Sequence, residues 1–302
     1  MAMTRIGGID QLQQAFGQRG YIADRDLATT LYLSLALGRP VLLEGEAGVG
    51  KTEVARTLAL ALDTELIRLQ CYEGIDVGTA VYEWDYPRQM LEIRLLEARG
   101  EAKSAATRDI FGEEFLIRRP LLRALDRRDR PAVLLIDEVD RADEEFEAFL
   151  LEVLADFAIT IPEIGTLKAD RPPHVVLTSN RTREVHDALK RRCLYHWIDY
   201  PTYERELAIL AARMPGIDDA LAREVISFVQ RLREADLTKV PGVAETLDWA
   251  AALVALGARR LEAEQVEQTL GALLKYQEDM SAMRGGGART MLEEARASAR
   301  RG

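Results

Sequence analysis

The chain has 302 residues, 48% hydrophobic and 30% charged, enough for a full core and more in keeping with two domains than one. Its net charge of −10 argues against a protein whose main business is coating nucleic acid. Two cysteines far apart and three histidines match no metal or redox spacing, the N-terminus lacks an apolar signal core, and no apolar run approaches the ~18 residues of a membrane span, so the expectation is a cytoplasmic protein with reduced thiols.

Up to about Tyr200, apolar runs alternate with helical patterns. "PVLLE", "ELIRLQ", "AVLLID" and "HVVLTSN" read as strands, apolar without alternation, as in strands covered on both faces of a parallel sheet. "GKTEVARTLALAL" and "DEEFEAFLLEVLAD" supply helices between them, which gives an α/β pattern. After Pro201 the strands stop. Four helical segments follow, "TYERELAILAARM", "ALAREVISFVQRLREA", "VAETLDWAAALVALG" and "EAEQVEQTLGALLKY", with Pro215-Gly216 and Pro241-Gly242 marking turns. The expected domains are 1–200, an α/β nucleotide-binding domain, and 201–284, an all-helical lid, with 285–302 a C-terminal tail around "RGGGAR".

The segment "VLLEGEAGVGKTEVARTLAL" holds Gly45-x-x-x-x-Gly50-Lys51-Thr52 between a strand and a helix, the context a phosphate loop requires. Backbone N–H groups from Gly45, Glu46, Ala47, Gly48, Val49 and Gly50 through Lys51, Thr52 and Glu53 would face phosphate oxygens at the positive end of the helix. Lys51 would neutralise the β- and γ-phosphates of ATP, and the Thr52 hydroxyl would ligate Mg²⁺. In "PAVLLIDEVDRADEEFEAFL", Asp137 and Glu138 end a buried strand where ligands of open α/β sheets sit. Asp137 would hold the Mg²⁺ shell and Glu138 would polarise the attacking water. Asn180 ends a further strand, so its amide can reach the γ-phosphate or that water.

With those elements in this order, the chain resembles the AAA+ ATPases, and most closely the MoxR-type branch, for which "LLIDEVDRA" and the hairpin-like "ITIPEIGTLKADRPPHVVLTSN" are typical. The resemblance implies an AAA+ core with a helical lid, Asn180 as the phosphate sensor, and a homo-oligomeric ring, by the superfamily's preference a hexamer. It also implies an arginine reaching the neighbour's γ-phosphate: Arg192 in "ALKRRCLYHW" by position, with Arg191 the alternative. The phrase "PGVAETLDWAAAL" looks like the subgroup that matures molybdenum-copper carbon monoxide dehydrogenases, alongside a partner with a von Willebrand factor A domain. Glu245 stands there where many AAA+ proteins carry a lid arginine, a departure that removes a phosphate contact in cis.

Three features stay open at this level. Tyr82, Trp84 and Tyr86 alternate in "TAVYEWDYPRQ" and would share one face, either packing a hairpin onto its own domain or facing a pore or partner. Residues 118–130 carry six arginines against two aspartates, and 137–147 seven acids against one arginine, which reads as two solvated faces or as complementary faces between protomers. Rival readings are a monomeric P-loop switch or kinase and an AAA+ DNA motor. No Asn-Lys-x-Asp guanine signature accompanies the phosphate loop, and no DNA-binding motif is appended.

Overall fold

The computed structural model describes residues 6–98 and 110–299. Its strands are β1 Val41–Gly45, β2 Leu66–Gln70, β3 Tyr82–Trp84, β4 Leu116–Arg118, β5 Val133–Asp137, β6 Ala158–Ile161, β7 Gly165–Lys168, β8 His174–Ser179 and β9 Leu194–Ile198. The described residues fall into two compact units, the first drawn from Met1–Leu12, Asp26–Glu44 and Ala55–His196, the second from Gln13–Arg25, Gly45–Val54 and Trp197–Gly302. The phosphate-loop segment thus groups with the helices after Trp197, which the linear reading of the domains did not anticipate.

A five-stranded sheet runs in the order β2-β5-β8-β1-β9, with β2–β5, β5–β8 and β8–β1 parallel. Every residue of β1 and β5 is buried, and so is β8 after His174, which explains why these strands read as unbroken apolar runs. At the edge, β2 alternates between buried Ile67 and Leu69 and an outward Arg68. The other edge strand, β9 (Leu-Tyr-His-Trp-Ile), escaped the sequence reading because its aromatic, half-exposed residues carry no apolar run. Register sets the level at which the strands end: Gln70 lies opposite Asp137, and Ile136 opposite Leu177.

The expected hairpin before β8 is present as antiparallel β6 and β7. β3 pairs antiparallel with β4, and the Tyr82 and Trp84 rings meet edge-on at 6.1 Å. Tyr86 does not share their face: it opens the helix Tyr86–Ala98 and is 61% exposed. The arginine-rich stretch meets acids of its own unit. Arg123 and Arg127 both reach Glu65, Arg130 reaches Asp63, Arg119 reaches Glu83, and Arg118 reaches Glu113 and Asp126. These local pairs take up five of the six arginines of the run.

In the second unit, helices Tyr203–Arg213, Asp219–Arg233, Val243–Ala255 and Ala263–Leu273 surround Trp249, which packs on Phe228 at 5.3 Å between ring centroids. One buried polar cluster in this core is matched: Arg233 donates two bonds of 2.7 Å to buried Glu206, which also accepts from Thr246 and Gln230. A fully paired buried ion is tolerated where a half-paired one would cost several kcal/mol, about 3–5 when one partner is removed. The segment expected as a tail is not loose within its described part. Gly287–Ala299 is helical and buries Ala288 and Leu292 in the same core, while residues 300–302 lie outside the described ones. The glycine run hid this, because the apolar positions begin only after it. Among the described residues no helix is long and apolar enough to cross a membrane.

Leu292→Ala should therefore lower the urea-unfolding free energy by about 2–5 kcal/mol, as for other buried leucines. A free tail would give no change.

Candidate functional site

The phosphate loop leaves β1 and ends in the helix Lys51–Ala61, whose first N–H groups have no partner within the helix. Gly48 and Gly50 take φ of 80° and 95°, which admit an L side chain only with strain. Lys51 is buried, and its ammonium donates to the carbonyls of Gly45 (2.8 Å) and Glu46 (2.7 Å). A buried cation resting on its own loop's carbonyls, at the positive N-terminal end of a helix, fits an anionic ligand such as phosphate.

In the same unit the loop meets the start of the helix Val243–Ala255. Ala244 N–H donates to Gly48 O at 3.1 Å, and Glu245 reaches back to accept from Gly242 N–H at 3.1 Å. A Cβ on Gly48 would lie 2.7 Å from Glu245 Oε2, and one on Gly242 2.8 Å from Ala47 O and 2.9 Å from Gly48 Cα. Glu245 therefore caps the helix directly over the phosphate loop, a role the sequence did not show. Burial, and then the nearby Glu46 carboxylate, raise the Tyr200 phenol, against the Arg233 guanidinium stacked 4.8 Å from its ring. Glu53, at the loop's end, pairs with Arg213 at 3.0 Å. Ala47 and Val49 contribute backbone; Val49 is buried.

The first unit holds the acidic residues. Asp137 is buried; its Oδ1 accepts from Thr178 Oγ1 at 2.5 Å and its Oδ2 from Arg68 Nε at 2.9 Å. That it already holds a cationic side chain shows the carboxylate suits a positive ligand, as a Mg²⁺ shell requires. Glu138 sits in the left-handed region (φ 54°) as the chain turns out of β5. Its carboxylate accepts from Gln70 Nε2 (3.0 Å), Arg141 Nη1 (3.2 Å) and Asn180 Nδ2 (3.5 Å). The structure thus brings Asp137, Glu138 and Asn180 together at adjacent strand ends.

Two residues that the sequence reading passed over hold the Asn180 loop. Buried Asp140 accepts from the N–H groups of Asn180 (3.2 Å) and Thr182 (2.8 Å) and from the Thr182 hydroxyl (2.7 Å). Buried Glu147 accepts from His186 N–H at 2.8 Å and pairs with Arg183. Their signal was the acid-rich helix start, whose seven acids do not all face water. Arg191 and Arg192 close the helix Asp187–Arg192; both are exposed, and among the described residues neither guanidinium has a hydrogen-bond or ion-pair partner. Arg39 caps this helix from the other side, donating to the carbonyls of Arg191 (2.9 Å), Arg192 (3.1 Å) and Cys193 (3.3 Å). Both thiols, Cys71 and Cys193, are buried, and burial pushes each up to about 12, so neither is a nucleophile at neutral pH.

A central parallel five-stranded sheet with flanking helices, a phosphate loop and a helical C-terminal region define an AAA+ domain of the ATPase type. The chain belongs to the AAA domain family (dynein-related subfamily), whose model matches residues 40–193. An uncharacterized protein of Staphylococcus haemolyticus (strain JCSC1435) is 25% identical over 204 residues, covering 65% of this chain and 69% of that protein. An uncharacterized protein of Staphylococcus aureus (strain NCTC 8325 / PS 47) is 26% identical over the same span. Among solved structures, the Thermotoga maritima RuvB P216G mutant matches 87% of this chain and 70% of its own at 19% identity and a TM-score of 0.48. The Thermotoga maritima RuvB Holliday junction branch migration motor gives 18% identity, 89% and 72% coverage and a TM-score of 0.45.

The close approach at Gly242 yields a paired expectation. Gly242→Ala, forced against loop backbone, should destabilise by about 1–3 kcal/mol. Gly271→Ala, in a helix and with nothing within 4 Å of the added carbon, should stabilise by about 0.5–1 kcal/mol. Equal effects in chemical denaturation would show that the helix start does not bear on the loop.

Proposed function

We propose that this chain is an AAA+ ATPase, with 1–200 its nucleotide-binding domain and 201–284 its lid, that hydrolyses ATP at subunit interfaces of a homo-oligomeric ring. The observation that carries the reading is the Glu138 carboxylate, aimed beside Asn180 at the end of a buried strand. In this reading the phosphate loop, Gly45 to Glu53, holds the triphosphate and Lys51 neutralises it. Mg²⁺, held by Thr52 and Asp137, would supply charge neutralisation on the phosphates. Glu138 takes up the proton of the attacking water, and Asn180 orients that water against the γ-phosphate. The family membership and the unpartnered, exposed guanidiniums of Arg191 and Arg192 support a finger acting on a neighbour's nucleotide, with Arg192 preferred and Arg191 the alternative. A hexamer is the expected ring.

For output, we infer MoxR-type remodelling or maturation of a metalloenzyme client, a molybdenum-copper enzyme in particular, with a von Willebrand factor A partner. The support is the sequence "PGVAETLDWAAAL", whose Gly242 and Glu245 make the contacts to the phosphate loop described above.

Glu138→Gln should keep ATP binding and lose hydrolysis by ~10²–10⁴-fold; near-normal turnover would remove Glu138 from the chemistry. Arg192→Ala should bind ATP yet turn over poorly, and mixing it with Lys51→Ala should partly restore activity. Some interfaces of a mixed ring then pair an intact loop with an intact arginine. If mixed rings form and stay inactive, the trans assignment fails.

A further inference from the structure

The edge strand β2 places Arg68 and Gln70 on one face, two residues apart, against the end of β5. Arg68 Nε donates to Asp137 Oδ2 at 2.9 Å, and its Nη2 lies 2.6 Å from the same oxygen in an ion pair. A carboxylate oxygen has two lone pairs in its plane; the Nε–H bond takes one of those on Oδ2, and Nη2 crowds the other. The same guanidinium also donates to Gln70 Oε1, and Gln70 in turn donates to Glu138 Oε2 at 3.0 Å. One cation therefore ties the carboxylate assigned to the metal shell to the carboxylate assigned to the water.

We propose that Arg68 is a resident counter-cation of Asp137, which Mg²⁺ must displace, so that metal arrival also loosens Gln70 from Glu138. The inference rests on the ATPase reading above. A metal-bound water donating to Oδ2, or the metal itself, needs a lone pair that Arg68 now occupies, and a guanidinium beside a divalent cation is repelled. The exposures show which partner yields: the Asp137 side chain is 3% exposed and fixed in the sheet, whereas that of Arg68 is 53% exposed and can swing into water. Because the guanidinium end of Arg68 is half in water, it can leave Asp137 and return, so the exchange is reversible. Release of Arg68 removes the donor that orients the Gln70 amide, and Glu138 then exchanges a fixed partner for water.

The test is the free Mg²⁺ concentration that half-maximally promotes binding of a fluorescent, non-hydrolysable ATP analogue. In Arg68→Ala and in Arg68→Gln, which keeps part of the stem, the half-point should fall roughly two- to fivefold below that of the parent. Arg68→Lys, which keeps the charge, should stay near the parent. A half-point unchanged or raised in both neutral variants, with a normal Mg²⁺ dependence in the parent, overturns the exchange and makes Arg68 a support for Asp137. A parent whose nucleotide binding ignores Mg²⁺ would overturn the ATPase reading along with it.

Discussion

The polar end of the sheet depends on two buried carboxylates that accept from one loop. Asp140 takes three donors from Asn180 and Thr182, and Glu147 takes His186 N–H and the Arg183 guanidinium. Opposing them, Glu138 and Arg181 both sit in the left-handed region, with φ of 54° and 55°. Each such residue costs about 1–2 kcal/mol, whereas a hydrogen bond to a charged acceptor contributes about 1.5–3 kcal/mol. The three bonds onto Asp140 thus outweigh the strain at Arg181, and the loop stays where Asn180 faces Glu138. Strained residues held by surplus hydrogen bonds cluster where a fold keeps a side chain ready for use. The same loop leads into the helix ending in Arg191 and Arg192, which Arg39 anchors through backbone carbonyls and leaves free at the guanidiniums.

What the sequence made legible was chemistry concentrated in contiguous residues. The interior strands β1, β5 and β8 announced themselves because both faces are buried, and the phosphate loop because its glycines lie between a strand and a helix. Features that depend on register or distant pairing were not legible. Arg68 and Gln70 matter only because β2 runs beside β5, and nothing in "LIRLQ" says so. The arginines of 118–130 looked like a charged face, yet their acids, Asp63, Glu65 and Glu83, lie far back in the chain. Tyr86 continued the aromatic alternation by spacing, while Pro87 fits the first turn of a helix and ended the strand before it.

The helical unit shows how one substitution changes the job of a position. An arginine where Glu245 stands would offer charge to a phosphate; the glutamate instead caps its own helix and lies against Gly48. The helix start thereby meets the loop backbone, at Gly242, where an added Cβ would clash, and at Ala244, whose N–H donates to Gly48 O. In the core of this unit Trp249 is buried and Glu206 is fully hydrogen-bonded.

If the finger acts in trans as proposed, each active site needs a neighbour. That dependence is tested most directly by measuring ATP turnover per chain across a dilution series, with the assembly state followed in the same samples by sedimentation. Specific activity should fall in step with loss of the ring and approach zero in the monomer. Constant turnover per chain in samples that sediment wholly as monomers would contradict that dependence.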